Sequence, residues 1–75
     1  MPKLPRISGI KAVKTLEKMG FIISRQTGSH VVLKKQILNG EIVCIVPLHK
    51  DLKVGTLSGV LKQAKVSSNE FINYL

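Results

Sequence analysis

The residues best equipped for chemistry in this 75-residue chain are Gly28-Ser29-His30, which lead into the apolar run Val31-Val32-Leu33. A glycine without a Cβ permits a turn that other residues resist. A histidine just after such a turn is expected at the mouth of a strand, where imidazole can exchange a proton near neutral pH. A second histidine, His49, follows Pro47-Leu48. The remaining polar chemistry is cationic. Twelve Lys and Arg stand against Glu17, Glu41, Asp51 and Glu70, a net charge of +8. On so small a body this charge favours polyanions through steering and counterion release, and it points to nucleic acid as partner.

The shortage of acids narrows the chemistry. Metal-dependent nucleases hold Mg²⁺ with clustered carboxylates, and four scattered acids offer no cluster. Any hydrolysis here is therefore expected to need no metal and no cofactor. RNA supplies its own nucleophile, the ribose 2′-OH, which His30 can deprotonate for attack on the adjacent phosphate. The products would be a cyclic phosphate and a free 5′-OH. Arg25 and Lys34 are the candidate cations for the charge that builds on phosphorus. His49 is the candidate accessory acid for the leaving oxygen, with a plain loop histidine as the alternative. Arg25, Gly28, Ser29, Lys34 and Lys50 are the candidate RNA contacts. The lone cysteine, Cys44, excludes an internal disulfide and a Cys-based zinc cage, and it is expected in the core.

These residues need elements to hold them. Seventy-five residues bound one domain over 1–75, and a 44% hydrophobic content with three aromatics makes its core aliphatic. Residues 1–7 form a basic, proline-punctuated lead-in. Ser8 suits an N-cap, and Ile10, Val13, Leu16 and Met19 recur at helical spacing, so a helix is expected over 9–19 with Gly20 in the left-handed position after it. Phe21–Arg25 reads as a first strand, with Gln26-Thr27-Gly28 as a turn. Ser29–Ile37 reads as a second strand and Glu41–Val46 as a third, ended by Pro47. Asn39-Gly40 is the strongest hairpin signal, a type I′ turn. That turn sets a register in which Leu33 faces Val46 and His30 falls opposite His49. Val31, Leu33, Ile37, Ile42, Cys44, Val46 and Leu48 then share a core face, broken by Lys35. A helix over 54–65 follows, in which Gly59 is read as a mark of close packing. Ser67-Ser68-Asn69-Glu70 is a capping box for a short last helix.

The fold class is therefore α+β: an α-β-β-β-α(-α) two-layer sandwich, with a three-stranded antiparallel sheet and the helices on one face. The double-stranded-RNA-binding domain (dsRBD) shares this order. No run is long enough to span a membrane, and Met1–Arg6 lacks an apolar h-region, so a cytoplasmic protein is expected.

Gly20-Phe21, Gly28-Ser29-His30, Pro47-Leu48-His49, Gly55-Thr56-Leu57 and Val60-Leu61-Lys62-Gln63-Ala64, followed by an acidic residue and Phe71, occur here in an order that resembles the HicA-type mRNA interferases. These are toxins of type II toxin–antitoxin pairs. The resemblance implies an endoribonuclease that cleaves mRNA, with His30 as its catalytic residue and a HicB-type antitoxin as its inhibitor. It departs from the family at Lys65, where glycine is usual. Two other classes remain open on the residues alone: a non-catalytic RNA-binding module, and an adaptor whose basic face meets an acidic protein.

Overall fold

Helical spacing, then alternation, then helical spacing again give six elements in the computed structural model, which describes residues 4–75. Met1, Pro2 and Lys3 of the expected lead-in lie outside the described residues. Helix α1 (Gly9–Lys18) starts where Ser8 Oγ accepts the Lys11 amide at 3.0 Å. It ends at Gly20, whose φ is +102°. There the Phe21 amide donates to Leu16 O and the Gly20 amide to Glu17 O, closing a Schellman motif. Phe21 is thus spent on ending the helix and is buried, so strand β1 (Ile22–Gln26) begins one residue later than its apolar run suggested.

Strands β1, β2 (His30–Ile37) and β3 (Gly40–Pro47) form an antiparallel sheet in the order β1-β2-β3. Val31, Leu33, Cys44 and Val46 point to one side and are buried with Ala12, Val13 and Leu16 of α1. Leu57, Val60, Leu61 and Ala64 of helix α2 (Val54–Ala64) pack on the same side. The expected α+β sandwich, with Cys44 inside it, is therefore the observed one. Helix α3 (Ser68–Asn73) has the capping box in full: Ser67 Oγ accepts the Glu70 amide, and Glu70 Oε1 accepts the Ser67 amide. It buries Phe71.

The hairpin register differs from the expected one by two residues. Ile37 pairs with Gly40, Leu33 with Cys44 and His30 with Pro47. The turn residues are therefore Leu38 and Asn39, and neither has a positive φ; Gly40 alone does, at +145°. A type I′ turn needs two residues with positive φ. The observed turn needs one, and a glycine supplies it. Because side chains alternate with a period of two, a two-residue shift keeps every face and changes every partner. The core face survives except at Ile37, which is exposed beside the turn, but His49 is not opposite His30. Leu38 at the tip is left 98% exposed.

Two further devices set the site's frame. Lys35, the one charge on the core face, extends its Nζ to Met19 O at 3.0 Å and lies 5.7 Å from the Phe21 ring centroid. It neutralises the negative end of α1 rather than interrupting the core. The segment before α1 is tied to the loop after β3. The Gly9 amide donates to His49 O at 2.8 Å, the Leu52 amide donates to Ile7 O at 2.8 Å, and Arg6 makes a two-point contact with Asp51. Gly9 is needed there, since a Cβ would press on Pro47 O and lie 2.9 Å from Leu48 Cα.

Candidate functional site

His30 opens β2 on the solvent-facing side of the sheet, and it is exposed. Two residues, Thr27 and Ser29, build its place. The Thr27 amide donates to His30 O at 2.9 Å, and Thr27 Oγ1 accepts the His30 amide at 3.1 Å. A hydroxyl that bonds a backbone group three residues on is a standard way to close a short turn. The expected flexible glycine is not the cause: Gly28 has no positive φ, and a Cβ on it would meet nothing within 4 Å. Ser29 Oγ then lies 2.9 Å from His30 Nδ1. That contact occupies one ring nitrogen and orients the ring, and Nε2 makes no hydrogen bond among the described residues. Thr27 escaped the sequence reading, where it counted only as a turn residue. Its signal was a hydroxyl placed three residues before the histidine.

His30 shares an open groove of about 390 Å³ with Ile45, Pro47, Thr56, Gly59, Val60 and Gln63. The groove exists because α2 packs mainly on the edge strand β3 and reaches round its outer side. Gln63 Oε1 accepts the Ile45 amide there at 3.0 Å. Pro47 has no amide to leave unpaired on that edge. The expected close packing at Gly59 is not found, since a Cβ there would meet nothing within 4 Å. Glycine in a helix interior costs about 1 kcal/mol relative to alanine, so this one weakens α2 without a packing gain. The start of α2 carries no side-chain cap and no acid in its first turn, so its amide dipoles face the loop as positive charge.

The other candidates divide. Arg25 pairs with Val32, which makes it the diagonal cross-strand neighbour of His30, at about 7–8 Å between Cα atoms. Lys34 is four residues along β2, about 13 Å away at the usual strand rise. It faces Glu41 Oε1 at 3.7 Å. His49 and Lys50 are exposed in the loop after β3; neither lines the His30 groove, and His49 is held there through its carbonyl by Gly9. Cys44 is fully buried, and burial pushes its thiol up to about 11. Among the described residues no group of three His, Cys, Asp or Glu is placed to hold a metal ion. No described helix is long and apolar enough to cross a membrane.

A sequence family described as the HicA toxin of bacterial toxin–antitoxin matches residues 10–66, from the first turn of α1 to the second residue after α2. The chain belongs to the HicA toxin family. No curated protein matches it. The matched span contains every strand, all of α2, α1 from its second residue and the whole His30 groove. The departure noted at Lys65 acquires a structural meaning in this HicA-family chain. Lys65 ends α2 with φ +56° and ψ +41°, in the left-handed region. Its amide donates to Lys62 O, and that of Val66 to Leu61 O. This is the same motif that ends α1, with a lysine in the place Gly20 holds there.

Proposed function

We propose that this HicA-family toxin is a metal-independent endoribonuclease that cleaves mRNA, with His30 as its catalytic residue. The observation that carries the reading is the exposed imidazole of His30, in contact at Nδ1 with Ser29 Oγ, at an open groove. His30 Nε2 takes the proton of a ribose 2′-OH. The 2′ oxygen then bonds to the adjacent phosphorus, the bond from phosphorus to the 5′ oxygen breaks, and that oxygen leaves with a proton taken from water in the open groove. A 2′,3′-cyclic phosphate and a 5′-OH result. Arg25 offsets the charge that builds on the phosphoryl oxygens, and the uncapped amides at the start of α2 add to the same field. Gly28 and Ser29 let the backbone approach the strand, while Lys34 and Lys50 hold phosphates further along it. His49 is the weaker candidate for the acid, because it lies outside the groove.

The partner in this reading is a HicB-type antitoxin, working in the cytoplasm, that covers His30 and so blocks cleavage. An acidic surface on it would compete with RNA for the same cations.

The test is cleavage of a labelled single-stranded RNA with EDTA present. His30→Ala is expected to lose about 10²–10⁴ in rate. Its circular dichroism and RNA affinity should match those of the parent. Undiminished cleavage by the variant would overturn the role of His30, and loss of parental activity in EDTA would overturn the metal-free reading. Equal losses of affinity and rate would make His30 a binding contact rather than the catalytic residue, and a parent that binds RNA without cleaving it would favour a binding module instead.

A further inference from the structure

We infer that the notch on α2 between Thr56 and Gln63 is a nucleotide subsite, in which Gly59 leaves room for the base beside the scissile phosphate and Gln63 reads its edge. The inference rests on the reading of His30 as the group that acts on RNA.

Gly59 is the first observation. Its φ is not positive, and a Cβ on it would touch nothing, so neither the backbone nor the packing of this chain requires glycine. It nevertheless sits in the interior of α2, where glycine is unfavourable. It is exposed and lines the same groove as His30. A side chain there would project into the space next to the histidine, so its lack opens that space to a ligand.

Gln63, one turn further on, is the second. Its Oε1 is committed to the Ile45 amide at 3.0 Å. Fixing the oxygen fixes the amide, and Nε2 offers two N–H donors at the groove that Gln63 lines. Nε2 makes no hydrogen bond among the described residues. A donor pair held in this way matches a carbonyl or ring-nitrogen acceptor on a base edge. The apolar groove residues are Ile45, Pro47 and Val60, and no aromatic residue is among them. Phe21 and Phe71 are buried in the core. A base would therefore be held by its edge and by apolar contact, without the aromatic stacking common in single-strand recognition. Selectivity falls on Gln63 as a consequence.

Two substitutions separate the parts. Gln63→Glu keeps an acceptor for the Ile45 amide but replaces the outward donors with an acceptor. Gly59→Leu fills the notch with a good helix former. Both are assayed on single-stranded oligoribonucleotides that differ only in the base beside the cleaved bond, with Asn69→Asp on α3 as a matched change of charge. Gln63→Glu is expected to change the base preference, with about a tenfold loss of kcat/KM on the parent's preferred base, beyond any effect of Asn69→Asp. Gly59→Leu should raise KM about tenfold, hold kcat within about threefold, and melt no lower than the parent; Gly59→Ala should fall between. Unchanged base preference in Gln63→Glu, or unchanged KM in Gly59→Leu, overturns the subsite. If His30→Ala is inactive in the same assay, that failure leaves the role of His30 standing. If His30→Ala cleaves as fast as the parent, it is the role of His30 that fails.

Discussion

Ser29 Oγ lies 2.9 Å from His30 Nδ1, so the residue that precedes the histidine also orients its ring. Loss of a group that orients a working side chain commonly costs about 10–100-fold, as the partners of metal-bound histidines show. Ser29→Ala is expected to lower kcat for RNA cleavage by about tenfold with KM little changed, and Ser29→Thr, which keeps the hydroxyl, should restore most of it. A Ser29→Ala variant with parental kcat would remove the orienting role.

Arg25 and Lys34 are both cations on the solvent face of the sheet, but they are not equivalent. Arg25 is the diagonal neighbour of His30, whereas Lys34 is about 13 Å along the strand and faces Glu41. Arg25→Ala is therefore expected to slow the chemical step, read by single-turnover cleavage, by at least about tenfold more than Lys34→Ala. Lys34→Ala should act mainly on RNA affinity. Equal effects on the chemical step would show that position relative to His30 does not matter.

Lys65 holds a left-handed conformation that costs an L residue about 1–2 kcal/mol. Lys65→Gly removes that strain, partly offset by the greater freedom of glycine in the unfolded chain. A net gain of about 1 kcal/mol raises the melting temperature of a domain this size by roughly 4–8 °C. Calorimetry would check it. Cleavage should not change, because Lys65 is outside the His30 groove.

Cys44 gives a pH dependence whose sign can be worked out. Burial raises its thiol from 9.0 to about 11 in the folded chain. Below pH 9 both folded and unfolded chains keep the proton, and the stabilisation is whole. As pH rises from about 9 to 11 the unfolded chain releases its proton first, so the folded state loses ground. The stability advantage of the parent over Cys44→Ala should shrink across that window in denaturant titrations at stepped pH. A constant difference would show that the thiol titrates alike in both states. Below pH 9, thiol reagents should modify the native chain only at the rate at which it unfolds.

Much of this fold is legible in local chemistry. Ser8, Gly20 and the Ser67–Glu70 box announce helix ends because capping is decided within a few residues. The core face is legible because alternation survives any even shift in register. The partners of those residues are not, since the hairpin was free to spend its positive φ at Gly40 alone, and that choice separated His30 from His49. Lys35 looked like a flaw because its partner, Met19 O, is remote in sequence and belongs to the backbone. The site was legible to the same degree: Ser29 and His30 are neighbours in the chain, but the wall contributed by Thr56, Gly59 and Gln63 depends on how α2 wraps the edge of β3.

The tie between Lys35 and the end of α1, together with the Arg6–Asp51 pair, bears on how this protein should respond to salt. Among the described residues, these two cations are already engaged within the fold. Each phosphate neutralised on a single strand contributes about 0.7 to the slope of log affinity against log salt. The engaged residues release few counterions, so the slope counts the cations the fold has left unspent, and formal charge overstates the grip on RNA.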